Sequence, residues 1–267
     1  NVYAFDSTTI DLCLSVFWWA KFRKKKGGIK VHTLYDVETQ IPAFFHITEA
    51  SVHDSKVMIE IPYEPSSYYI FDRGYNNFKM LYKIHQIEAY FVVRAKKNLG
   101  YKSIQWKRRL PKNVLSDASV LLTGFYPKQY YPEPLRLVKY WDEEQEREFT
   151  FITNAMHISA LQVAELYKNR WQVELFFKWL KQHLKIKRFW GTTENAVRIQ
   201  IYAAICAYCL VAIIQHDMQL NRSTYEVLQI LSISLTDKTH RRDLFDKTKF
   251  QNDKERFGPN GPSLFNF

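Results

Sequence analysis

Between Leu166 and Trp190 the chain reads LYKNRWQVELFFKWLKQHLKIKRFW, with no Gly or Pro. Nothing in it interrupts a helix, so it predicts one long helix starting near Ser159. At about 100° per residue, Tyr167, Arg170, Glu174, Lys178, Lys181 and Lys185 fall in one stripe roughly 80° wide. Leu166, Trp171, Val173, Leu175, Phe176, Phe177, Trp179 and Leu180 cover much of the remaining circumference. A surface helix carries a narrow apolar stripe; here the polar stripe is the narrow one. The pattern predicts a helix buried in the protein with its charges turned to a cleft. Glu174 is the only acid in that stripe. Surface ion pairing of Arg170, Glu174 and Lys178 at four-residue spacing, worth about 0.2–0.5 kcal/mol per pair, is the alternative. It leaves the basic stripe on so apolar a helix without a reason. A cleft that holds a polyanion and one metal-binding carboxylate supplies one.

Tyr167, Arg170 three on, Glu174 four further and Lys181 seven further fill the four positions of a signature carried by bacterial insertion-sequence transposases of the DDE type. The chain resembles the insertion-sequence-four branch of that group. Asp6-Ser7-Thr8, then Phe71-Asp72-Arg73-Gly74-Tyr75, then Ile152-Thr153-Asn154 are similar to the family's blocks around its first and second aspartates and ahead of its glutamate helix. The resemblance runs from Asp6 to about Leu235. It implies Asp6, Asp72 and Glu174 as catalytic, metal-holding carboxylates. It implies that Tyr167, Arg170 and Lys181 grip DNA at a transposon end, where a base is flipped and the cleaved strand forms a hairpin. It also implies a β-rich insertion and a homodimer assembled on double-stranded DNA, both terminal inverted repeats and target.

The remaining numbers fit a DNA partner without requiring one. The 267 residues can bury a full core, and a hydrophobic content of 46% excludes wholesale disorder. Lys+Arg 38 against Asp+Glu 27 gives a net charge of +11, which suits nucleic acid or another anionic surface. Three cysteines are too few and too odd in number for a disulfide framework, which favours a reducing cytosol. Cys206-x-x-Cys209 lies in an apolar helical run without a second pair and reads as core packing. The apolar run from Ile199 to Ile214 is shorter than the roughly 20 residues that span a bilayer; it reads as a core helix, with no membrane partner. The expected location is the bacterial cytoplasm, at the nucleoid when DNA is bound. The chain starts at Asn1 in a strand-like run and reads as a fragment lacking upstream sequence.

Along the chain, Val2–Asp6 predicts a strand ending in a carboxylate, followed by a polar turn at Ser7-Thr8-Thr9. A basic loop, Lys21–Lys26, leads to strands at Ile29–Tyr35 and Ile41–Thr48, suggesting an antiparallel meander. Tyr68–Asp72 is another strand ending in a carboxylate; a helix at Phe78–His85 and a strand at Tyr90–Arg94 follow. This order predicts an α/β fold: a ribonuclease H-like core, a mixed sheet flanked by helices, with a β-rich insertion before the glutamate helix. The expected parts are residues 1–95, the insertion 96–148, the rest of the core 149–235 and a polar tail 236–267.

Two-metal cleavage of a phosphodiester needs a few carboxylates that hold two Mg²⁺ about 3.5–4 Å apart. Mg²⁺ keeps several waters, so three carboxylates and substrate phosphate suffice, and Mn²⁺ is expected to substitute. A strand-terminal Asp is ordinarily a turn or cap residue. Two of them, with Glu174 in its stripe, point to one shared edge. Lys178, Lys181 and Lys185 are expected to contact phosphate near the cut. Arg170 can hold phosphate bidentately and Tyr167 can hydrogen-bond or stack. The loop residues Lys21, Arg23, Lys24, Lys25 and Lys26 are phosphate-binding candidates, with a solvated charge run as the alternative. His32, His46 and His53 lack the spacing of a zinc site. The reading is a cut-and-paste DNA transposase. Its rivals are a ribonuclease H-like nuclease without strand transfer and an inactive relic that only binds DNA.

Overall fold

The computed structural model describes residues 1–23, 26–183, 189–222 and 224–234. Lys24, Lys25 and Lys185 lie outside the described residues, and Arg23 is described in backbone only.

Ten strands form one mixed sheet: β1 (Val2–Leu12), β2 (Lys21–Arg23), β3 (Lys26–Asp36), β4 (Pro42–Glu49), β5 (Tyr68–Phe71), β6 (Tyr90–Arg94), β7 (Tyr101–Trp106), β8 (Val114–Leu122), β9 (Leu135–Asp142) and β10 (Arg147–Thr153). The order is β2-β3-β1-β5-β6-β10-β9-β8-β7, with β4 also paired to β3. The meander is present, because β1 and β4 both run antiparallel to β3. The basic loop is a tight hairpin, β2 on the start of β3. Gly27 at that start leaves little room for a side chain: a Cβ there would stand 3.0 Å from the carbonyl oxygens of both Ala20 and Leu12.

β1 is longer than its sequence suggests. Ser7-Thr8-Thr9 is not a turn but mid-strand, since Thr8, Ile10 and Leu12 continue the buried alternation and threonine suits a half-buried pleat. Asp6 therefore lies inside a strand. Strands β7, β8 and β9 continue the main sheet through β10 by antiparallel pairing.

Side chains alternate across the sheet and feed two cores. Phe71, Phe91, Val93, Leu137 and Ile152 pack with Leu81 and Ile84 of helix α1 (Phe78–Gln86). Ile70, Val92, Val138 and Phe151 face the other way and pack with Val163 and Tyr167 of helix α3 (Ala160–Lys168); between them in sequence lies the short α2 (Phe125–Tyr130). Arg136 and Asp117 are buried as a bidentate pair, with Nε–Oδ1 and Nη2–Oδ2 both 2.8 Å. Arg136 Nη1 also donates to the carbonyls of Ala155 and Ile158, which fixes the chain just ahead of α3.

Among the described residues, the single helix expected from Ser159 through Trp190 is two. α3 opens with a capping box, Ser159 and Gln162 satisfying each other's backbone N–H, and stops at Lys168. α4 (Trp171–His183) begins after a turn in which Arg170 N–H bonds Tyr167 O and Gln172 N–H bonds Asn169 O. Asn169 at the break is a poor helix-interior residue that favours caps. α4 buries Val173, Phe176, Phe177 and Leu180, with Phe176 against Tyr35 of β3. Trp171 and Leu175 are 58% and 47% exposed, so the helix is not enclosed on all its apolar sides as its composition suggested.

Contacts divide the chain into two compact units, Asn1–Cys206 and Ala207–Phe267. Helix α5 (Glu194–Asp217) contributes to both; in the first unit it buries Val197, Ile201 and Ile205, and Arg198 donates to Ile47 O of β4. The second contains a small core of Val211, Val227 and Ile230 with α6 (Thr224–Ser234). α5 is 24 residues long, longer than the apolar run, and by length and composition alone it could cross a membrane. Cys206 is exposed and Cys209 half-buried, and neither is in a disulfide among the described residues, so core packing does not hold for Cys206.

Candidate active site

The three parallel strands β1, β5 and β6 set the site. Phe5 pairs with Phe71 and Phe71 with Val93. Asp6, Asp72 and Arg94 therefore follow at matching positions on neighbouring strands. β5 ends at Phe71 while β1 continues, so from Asp6 onward β1 is paired only with β3. The side vacated by β5 opens onto α3 and α4. Asp72 stands at the N-cap of a 3₁₀ turn, Arg73–Tyr75, but its side chain makes no capping bond. Its carboxylate is left for other partners.

Those partners come from the signature helix. Tyr167, 7% exposed, packs its ring 4.7 Å from Phe151, and its hydroxyl donates to Asp72 Oδ1 at 3.0 Å. Arg170 Nη1 lies 2.9 Å from Asp6 Oδ2 and 2.5 Å from Glu174 Oε1. Arg94 Nη1 is 4.0 Å from Asp72 Oδ1. Glu174 sits in the first turn of α4, where the helix dipole favours a carboxylate. The break in the helix matters here. Tyr167, in the last turn of α3, reaches Asp72; Arg170, in the turn that follows, reaches Asp6 and Glu174.

The electrostatics follow from burial and these neighbours. Burial pushes the Asp6 carboxyl up to about 6; the Ser7 N–H and Arg170 oppose the rise, and Glu174 and Asp72 add to it. Burial and Asp72 push the Tyr167 phenol up to about 12, so it remains a donor. Burial disfavours the Arg170 cation, but Tyr167, Asp6 and Glu174 outweigh it and its pKa is raised.

Lys178 is exposed and Lys181 half-buried on α4. Tyr167 and Arg170 are turned onto the carboxylates in this arrangement. Among the described residues no three His, Cys, Asp or Glu side chains stand together closely enough to hold one metal ion. A cation nonetheless already lies between two of the three carboxylates, the Arg170 guanidinium. Hard carboxylate oxygens such as those of Asp6, Asp72 and Glu174 are the type of ligand that divalent metal ions take.

Two neighbours escaped the sequence reading. Arg94 closes the row Asp6, Asp72, Arg94; its signal was a third strand, YFVVR, ending in a charge as YYIFD does. Asp54 accepts from Ser7 Oγ at 2.8 Å and pairs with Lys30 Nζ at 3.0 Å, while Ser7 N–H donates to Asp6 Oδ1 at 2.8 Å. Its place beside Asp6 depends on the turn after β4, which local sequence does not reveal.

The mixed sheet flanked by helices is a ribonuclease H-like fold. A piggyBac transposase solved as a synaptic complex with hairpin DNA superposes on it with a TM-score of 0.52 at 12% identity, over 98% of this chain and 60% of that one. The family described as transposase DDE domain matches residues 1–210. A transposase of Sinorhizobium fredii is 37% identical over 90% of the chain and 67% of its own length. An insertion-sequence transposase of Geobacillus stearothermophilus is 31% identical over 77% of the chain and 54% of its own. One from Synechocystis is 25% identical over 89% and 67%. The chain thus spans between about half and two thirds of these relatives. It belongs to the transposase DDE domain family.

Proposed function

We infer that this chain cuts and joins DNA at the ends of an insertion sequence, with Asp6, Asp72 and Glu174 as its three working carboxylates. The observation that carries the reading is the convergence of Asp6, Asp72 and Glu174 on one short stretch, Tyr167 to Glu174. Tyr167 holds Asp72 and Arg170 holds Asp6 and Glu174. Ion pairing confined to one helix surface would not join residues 164 positions apart in sequence, as Arg170 and Asp6 are.

Asp6, Asp72 and Glu174 would hold two divalent ions, Mg²⁺ with Mn²⁺ as substitute. Such ions activate an attacking water or hydroxyl and stabilise the leaving oxygen of a phosphodiester. The protein's own part is to hold three acids at one edge and surround them with cations that release them to incoming phosphate. Arg170 and Tyr167 are built for that exchange, because a guanidinium fork and a phenol bind phosphate oxygens as readily as carboxylates. Lys178 and Lys181 extend the positive surface along α4, with Lys185, Arg23, Lys24 and Lys25 as further phosphate contacts. The partner is double-stranded DNA, both transposon ends and target, engaged by a homodimer at the nucleoid in the cytoplasm.

Incubating the full chain with a labelled transposon end and a target plasmid in Mg²⁺ tests this. Covalent joining of label to plasmid is expected. Nicking without joining would leave a nuclease, and neither reaction by folded, DNA-binding protein would leave a relic.

A further inference from the structure

A second concave surface lies beside Asp72 on the other face of the sheet. It is a cleft of about 290 Å³ whose charged lining is Arg73, Arg94, Lys96, Lys97, Lys139 and Glu148. Strand alternation fixes its side. Lys139 shares a face with Leu137, and Glu148 shares one with Ile152; both of these belong to the core that packs on α1. The helix that carries Tyr167 covers the opposite face. Arg94, at the end of β6, lines this cleft and also the cavity of about 480 Å³ on the α3 side that Tyr167 and Arg170 line. Arg94, which is also 4.0 Å from Asp72, thus stands at the rim between two concave surfaces.

Five cations line the cleft against one carboxylate, and even with Asp72 set against Arg94 from outside the lining the excess of positive charge needs an explanation. Lys139 reaches Glu148 at 3.7 Å, but these side chains are 38% and 44% exposed, and such a pair contributes little. Arg73, Lys96 and Lys97 are exposed and have no carboxylate within ion-pair distance among the described residues. A solvated charge run would account for Lys96 and Lys97, which are adjacent in one loop. It does not account for Arg73 from the turn after β5, Arg94 from β6 and Lys139 from β9 converging on the same hollow. Like charges gathered in a hollow repel one another and focus a positive potential that attracts an anion.

We propose that this cleft holds sugar–phosphate backbone, so that DNA reaching the carboxylates is gripped on both faces of the sheet. The proposal rests on the DNA-cutting reading above and adds to it a binding site on the face away from α3 and α4. Arg73 and Arg94 offer planar forks to phosphate oxygens; Lys96, Lys97 and Lys139 offer mobile point charges. The backbone it takes belongs either to the DNA being cut or to a separate duplex, and the two give different results in the test.

The test is binding of a fluorescein-labelled mixed-sequence duplex by the full chain as salt is raised. Wild type is compared with Lys96→Ala/Lys97→Ala and with a charge-matched control outside the cleft, Lys83→Ala/Lys128→Ala. Each phosphate contact contributes about 0.9 to the slope of log K against log salt, so the cleft variant should lose about 2 in slope and the control less than half of that. A loss seen with one duplex assigns the cleft to the DNA being cut. A loss seen only when a second duplex is captured by chain already loaded with the first assigns it to a separate duplex. A steep wild-type slope that the cleft variant leaves unchanged both with one duplex and in capture of the second, or that the control lowers equally, overturns the proposal alone. A wild-type slope near zero would instead overturn the DNA reading, and the cleft with it.

Discussion

Arg170→Met tests whether the carboxylates depend on the cation between them. Methionine keeps an apolar stem of similar length and removes the charge. Arg170 is 17% exposed, Asp6 21% and Glu174 33%, so the substitution leaves two mostly buried carboxylates facing each other without a counterion. Breaking a fully buried ion pair on one side costs about 3–5 kcal/mol; partial exposure of the acids reduces that here to about 2 kcal/mol. For a chain of this size each kcal/mol moves the melting temperature by about 2–4 °C, giving an expected drop of about 4–8 °C followed by circular dichroism without divalent ions. Glu174→Gln should then destabilise less in the Arg170→Met background than in wild type, with a coupling of about 1–2 kcal/mol. Excess Mg²⁺ should restore part of the loss, because a bound ion stabilises the folded state by mass action. A drop under about 1 °C with no coupling would show that the guanidinium does not hold these acids together in solution.

Three further outcomes are expected. Tyr167→Phe keeps the ring against Phe151 but loses the bond to Asp72, and should cost about 1–1.5 kcal/mol in urea unfolding; an unchanged midpoint would contradict that bond. Asp117→Ala strands the Arg136 cation in the sheet and should cost about 3–5 kcal/mol, most of it recovered by adding Arg136→Met; a loss under about 1 kcal/mol would contradict the buried pair. His32 is fully buried, hydrogen-bonds Thr48 Oγ1 through Nε2 and has no partner for Nδ1 among the described residues, and burial pushes its pKa down to about 4. Because the unfolded chain protonates it near 6.5, its neutral form contributes fully above that pH, and about 3 kcal/mol is lost as pH falls from 6.5 toward 4. His32→Phe should flatten stability over that window, and an unaltered pH profile would refute the assignment.

The strands of the core were legible because their pattern is local. YYIF before Asp72 and YFVVR up to Arg94 are apolar runs bounded by charge, and both strands lie where that pattern puts them. Tyr167, Arg170 and Glu174 stood out through one helix-spaced signature, and Asp6 and Asp72 as charges that follow apolar runs. Three features were not. The Ser-Thr-Thr run after Asp6 resembles a turn, and only pairing with β3 keeps it extended. The helix break at Asn169 has no Gly or Pro to announce it; it is set by Tyr167 docking on Phe151 while Arg170 turns to Asp6. The continuation of the sheet through β9, β8 and β7 depends on long-range pairing, which composition does not encode.

The most direct measurement is Mg²⁺-dependent nicking of a labelled transposon end by three carboxamide variants, Asp6→Asn, Asp72→Asn and Glu174→Gln, beside a gel-shift for binding. Each keeps the shape of its side chain and removes the charge that would hold a metal ion. The expected result is loss of nicking by at least about 100-fold in all three folded proteins. End binding should be retained or tighter, since a negative charge near phosphate is removed. Near wild-type nicking by folded Glu174→Gln protein would contradict the account, because the helix that places Glu174 beside Arg170 and Asp6 would then have no part in the chemistry.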